Sequence, residues 1–146
     1  MRRYLVVANQ TLAGHHLLDH VRACQGVSPC WFHIVVPATP IEHQKVGTTG
    51  DATLLARRRL AAAIARFVAE GVAVTGEVGD ANPLRAVASA LRDRHFDEVI
   101  LSTLPVGSSR WLLEDLPTRL ARSTGLRVTH VIVEGQHVAD TSLLNA

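Results

Sequence analysis

Residues 97–117 read "DEVILSTLPVGSSRWLLEDLP". Within the first seven, Val99, Ile100 and Leu101 form an unbroken apolar run, as expected of a strand covered on both faces. A polar loop follows, with Pro105, Gly107, Ser108, Ser109 and Arg110. A helical pattern then sets in, anchored by Leu116 and Leu120. Asp115 stands where an N-cap is expected, and Pro117 is tolerable because it falls in the first turn. A buried strand, a glycine-bearing loop and a helix together make the repeating unit of a parallel α/β sheet.

The rest of the chain repeats this alternation. Four further strands are expected at "YLVVA" (4–8), "WFHIVVP" (31–37), "VAVTGEV" (72–78) and "RVTHVIV" (127–133). Three helices lie between them. The first runs from Leu12 to Arg22, with Leu17, Leu18 and Val21 inward. The second runs from Asp51 to Glu70, with Leu60, Ile64, Phe67 and Val68 as its apolar stripe and Gly71 as its stop. The third opens with Asn82 as cap and Pro83 at the first helical position. Its inward residues are Leu84, Val87, Ala88 and Leu91. Strands alternating with helices give an α/β fold, an open doubly wound parallel sheet with helices on both faces. Residues 1–134 make one domain, and the remaining 135–146 read as a tail.

Composition narrows the function classes. The formal net charge is +2 across 146 residues, so no basic stripe points to nucleic acid. The one basic run, Arg57-Arg58-Arg59, reads as solvated surface with its stems over apolar neighbours. Lys45 is the single lysine. Cys24 and Cys30 do not form a C-x-x-C pair and read as reduced structural thiols. No run approaches the roughly 20 apolar residues of a membrane span. The apolar run at the start, about five residues long, is too short for a signal sequence. A cytoplasmic location, with no membrane and no nucleic-acid partner, is the expectation.

Doubly wound sheets bind ligands beyond the carboxyl ends of their strands, where the winding reverses. Two loops should meet there, one after the first strand and one after the fourth. They bring Asn9, Gln10 and Thr11 towards Ser102, Thr103, Gly107, Ser108, Ser109 and Arg110. Glycine lets backbone approach an anion, and arginine can clasp phosphate or carboxylate at two points. The alternative reading is a turn whose serines cap a short helix while Arg110 pairs with Glu114. Trp111 is either a base-stacking platform or a wedge closing the core. His16 and His20 share a helix face beside His15 and Asp19, but no third ligand can be assigned, so no metal site is expected. There is no G-x-G-x-x-G after the first strand and no G-x-x-x-x-G-K-[ST] anywhere. The acid cluster of a phospho-receiver is lacking too: Asn9, Pro37 and Ser102 occupy that region.

The stretch "EVGDANPLRAVASALRDRHFDEVILST" (77–103) resembles the universal stress protein family, and the likeness extends from Tyr4 to Val133. The resemblance implies a five-stranded sheet in the order 3-2-1-4-5 and a homodimer through the fifth strand. It also implies a nucleotide site at the ends of strands one and four. Several positions depart from the family's pattern. Where members carry Asp-Gly-Ser after the first strand, this chain has Asn9-Gln10-Thr11. The family's two loop glycines fall near Pro105 and Ser108, and its Gly-Ser at the last helix start falls at Asp115-Leu116. A carboxylate capping that helix would repel a phosphate about 4 Å away by on the order of 4 kcal/mol. These departures argue against ATP held in the family's usual manner and leave ATP and AMP as open candidates.

Two functions therefore compete. One is a non-catalytic cytosolic module that binds a small anionic or nucleotide-like ligand at the ends of strands one and four. The other is a dimeric protein-interaction module that has lost nucleotide binding. Slow nucleotide hydrolysis is disfavoured, because no acid pair or phosphate-side lysine would stabilise its transition state.

Overall fold

The computed structural model describes residues 1–40, 49–105 and 109–133. Five parallel strands form one sheet: β1 (Arg2–Val7), β2 (Cys30–Pro37), β3 (Val74–Gly79), β4 (Glu98–Thr103) and β5 (Arg127–Ile132). Their order is β3-β2-β1-β4-β5. The winding therefore reverses between β1 and β4, which pair from Tyr4 with Glu98 to Val7 with Leu101. The sheet order and the α/β class agree with expectation.

Helices α1 (His15–Val27) and α2 (Thr49–Ala69) cover one face. Helices α3 (Pro83–Asp93) and α5 (Leu116–Thr124) cover the other, together with the single turn α4 (Arg110–Leu113). Alternation along β1 divides its side chains between two cores: Tyr4 and Val6 face α1 and α2, while Leu5 and Val7 face α3 and α5. On the first side Tyr4 stacks on Phe32 at 5.0 Å between ring centroids. On the second, Trp31 stacks on Phe96 at 5.9 Å.

Local chemistry sets the helix ends. Asn82 caps α3 by accepting from the Leu84 amide at 2.9 Å, with Pro83 at the first position. After α2, Gly71 adopts φ +78°, which returns the Gly71 and Val72 amides to the carbonyls of Val68 and Phe67. The first helix starts later than expected. Residues 9–14 form turns, the Leu12 amide returning to the Asn9 carbonyl, and extended Gly14 is the N-cap.

Two inward assignments, Val68 and Ala88, are corrected. Val68 is 58% exposed. The buried line of α2 is instead Ala52, Ala56, Ala63 and Phe67. Small side chains let this helix sit close to the sheet, so a Cβ on Gly76 of β3 would lie 2.6 Å from Leu60 Cδ1. In α3 it is Ala86 and Ala90 that are buried with Val87, while Ala88 is exposed and Leu84 and Leu91 pack at the margin. Asp115 stands at the N-cap position of α5, but its side chain makes no capping bond. The residue adopts left-handed φ 55°, ψ 45°, because the chain must turn between two helices that abut there. The capping carboxylate invoked against a triphosphate is therefore not formed in that geometry.

Candidate functional site

The loop after β1 reaches the carboxyl end of β4. Thr11 Oγ1 and Ser102 Oγ, 91 positions apart in the chain, lie 2.6 Å apart and are both buried. Thr103, next on β4, donates to the Leu104 carbonyl at 2.8 Å, and its oxygen lies 2.7 Å from His130 Nε2. With the hydroxyl proton so used, Nε2 must carry the imidazole proton and donate. Burial lowers the His130 pKa, which favours this neutral form.

Asn9 is buried at the end of β1. Its Nδ2 donates to the Pro37 carbonyl at the end of β2, at 2.7 Å. Its Oδ1 accepts from Arg59 Nη1 at 2.6 Å. An amide, unlike a carboxylate, can donate to one and accept from the other, which gives Asn9 a structural role at this position. Gln10 is exposed. Ser109 is buried and caps α4, accepting from the Leu112 amide at 3.4 Å. It thus behaves as the turn reading requires. Trp111 packs against the α3–α5 core as a wedge. Gly107, Ser108 and the side chain of Arg110 lie outside the described residues, as does the tail.

Composition marked Arg57-Arg58-Arg59 as one basic run but gave no sign that Arg59 and Arg66 turn towards the loop after β1. Arg59 is half-buried, and desolvation lowers its pKa. Arg66 donates from Nη1 to the Leu12 carbonyl at 3.1 Å and from Nη2 to the Gly14 carbonyl at 3.3 Å. Together they hold the β1–α1 loop against α2. Arg57 and Arg58 are exposed, so the solvated reading of the basic run applies to them and not to Arg59. Between α2 and the loop lies a cavity of about 230 Å³. Its loop wall is Asn9, Gln10, Leu12 and Ala13. Its helix wall is Arg58, Arg59 and Arg66 with Ala62 and Ala63 between them. Among the described residues no carboxylate pairs with any of these three arginines. The signal was present in the spacing 58, 62, 66: on a helix these residues stack on one face, and alanine between long side chains leaves a hollow.

Elsewhere, His15 Nδ1 lies 3.1 Å from Asp19 Oδ2 on the exposed face of α1. Among the described residues no three His, Cys, Asp or Glu side chains gather as a metal site. Among them, too, no helix is long and apolar enough to cross a membrane.

Neither protein-family models nor curated proteins match this sequence. Solved structures do match the fold. One is a protein from the universal stress protein family from Burkholderia pseudomallei, similar over 88% of this chain and 94% of that one, with TM-score 0.61 and 16% identity. With the sheet order and the crossover pattern described above, the likeness establishes that the chain has a universal stress protein-like α/β fold.

Proposed function

We propose that this chain is a non-catalytic cytoplasmic binding module that takes a small anionic or nucleotide-like ligand where the loops after β1 and β4 meet. The observation that carries this reading is the Thr11–Ser102 contact at 2.6 Å, which joins the loop after β1 to the end of β4 at the reversal of winding. The local charge supports it. Arg59 and Arg66 reach the β1–α1 loop, and no carboxylate among the described residues neutralises them. Nothing among the described strand-end residues resembles catalytic machinery: Asn9 is an amide, and His130 is held neutral by burial and tied to Thr103.

Calorimetry and thermal melting with ATP, AMP, cyclic AMP and inorganic phosphate test the reading. A ligand at one hundred times its Kd should stabilise the fold by about 2.7 kcal/mol. Thr11→Val should weaken that binding. Absence of heat and an unchanged melting temperature with all four would sink it.

A second reading is a homodimeric interaction module without a nucleotide. It is favoured by the way the strand-end polar groups already satisfy one another: Asn9 uses both ends of its amide within the protein, and Thr11 is bonded to Ser102. The edge strand β5 leaves Ile132 42% exposed. Sedimentation of the wild type as a dimer, and of Ile132→Lys as a monomer, would support this reading. A wild-type monomer at all concentrations would exclude it.

A further inference from the structure

We infer that the cavity between α2 and the β1–α1 loop is a receptor for a small amphipathic anion, an apolar body of about six carbons carrying a carboxylate or phosphate head. It shares Arg59 and Arg66 with the strand-end reading and goes beyond it by seating a ligand between α2 and the loop after β1 rather than between β1 and β4.

The walls decide the ligand's chemistry. Leu12, Ala13, Ala62 and Ala63 present only carbon, and the arginine stems add more. Such a surface takes an apolar body. The three guanidinium-bearing residues, Arg58, Arg59 and Arg66, take the head. Two of them already have duties, Arg59 to Asn9 and Arg66 to the Leu12 and Gly14 carbonyls. Each uses part of a five-donor fork, so donors remain. Among the described residues Arg58 makes no hydrogen bond or ion pair with another side chain, and it lines the mouth. Arg58 and Arg59 stand on one turn and Arg66 two turns on, with the alanines between, so an anion in the hollow is approached by cations from both ends. Size fixes the rest. An engineered apolar cavity of about 150 Å³ accepts benzene. The 230 Å³ here accommodates a body of that order with a head group. It is below the roughly 300–1,000 Å³ common for drug-sized ligands.

The test is calorimetry with hexyl phosphate, hexanoate, hexanol and inorganic phosphate. Both amphipathic anions should bind. Hexanol and inorganic phosphate should each bind at least tenfold more weakly, since each lacks one half of the recognition. Across butanoate, pentanoate and hexanoate, affinity should rise about fourfold per methylene. Arg58→Gln, at an exposed side chain with no structural partner among the described residues, should weaken hexyl phosphate about tenfold or more with an unchanged melting temperature. Ala62→Phe should fill the hollow and abolish binding. Hexanol binding as well as hexanoate would overturn the proposal. So would hexyl phosphate binding equally to the wild type, Arg58→Gln and Ala62→Phe, or not at all. The strand-end reading is separable: AMP binding that Thr11→Val weakens, alongside failure of hexyl phosphate, removes the cavity and leaves the crevice.

Discussion

The residue that most repays attention is Thr11. Its hydroxyl and that of Ser102 are both buried, so each depends on the other to replace water. Thr11→Val should leave Ser102 unsatisfied and cost about 1–3 kcal/mol in urea unfolding. Thr11→Val combined with Ser102→Ala should recover part of that loss, because no buried hydroxyl then remains. That both residues belong at the strand-end crevice was legible from sequence, since Thr11 follows the first buried strand and Ser102 lies at the end of the fourth. That they touch was not, because the register of β1 against β4 sets the distance. Asn9 shows the same limit from the other side. Its place at the end of β1 was evident, but its partners come from β2 and α2, which only packing brings to it.

At the scale of elements, α3 depends on one side-chain cap. Asn82→Ala should lower stability by about 0.5–2 kcal/mol. The same helix sits hard against β3. A Cβ on Gly79 would lie 2.7 Å from Ala86 Cβ and 3.2 Å from Val35 Cγ1. Gly79→Ala should therefore force α3 outward and cost about 1–3 kcal/mol, read as a lower melting temperature. Helix positions were legible from periodicity, and their exact inward faces were not. In α2 and α3 the larger apolar residues looked inward on paper, yet alanines occupy the closest line to the sheet. A large side chain can reach core from the flank of a helix, whereas a small one must lie on the contact line to be buried. The same shift of phase turned Arg59 and Arg66 towards the β1–α1 loop.

At the scale of the whole molecule, a buried and a half-buried histidine couple stability to pH. His33 is 1% exposed, between Thr75 and Glu77 with Arg94 alongside, and His130 lies against Thr103. Burial lowers both pKa values below the ordinary 6.5, partly opposed at His33 by its bond to Glu77. A histidine whose folded pKa is depressed binds its proton first in the unfolded chain. Its contribution is complete above about pH 6.5 and is lost as pH falls towards the folded value. The urea midpoint should therefore be lower at pH 5.5 than at pH 7.5, and His130→Gln should reduce the difference. Glu98 acts in a more acidic range: burial raises its pKa, but bonds from Thr129 and Arg2 outweigh this, so its contribution is lost only below about 4.5. The sequence by itself determined the α/β class and the boundaries of most elements to within a few residues, and with the resemblance it carries, the strand order. Buried strands, capped helices and right-handed crossovers leave few ways to arrange such a chain. Only the tertiary structure decided which cations face the loop after β1 and that a hollow lies between them. Those facts depend on the rotation and depth at which α2 packs, which are set by contacts with distant strands and not by the order of residues along the helix.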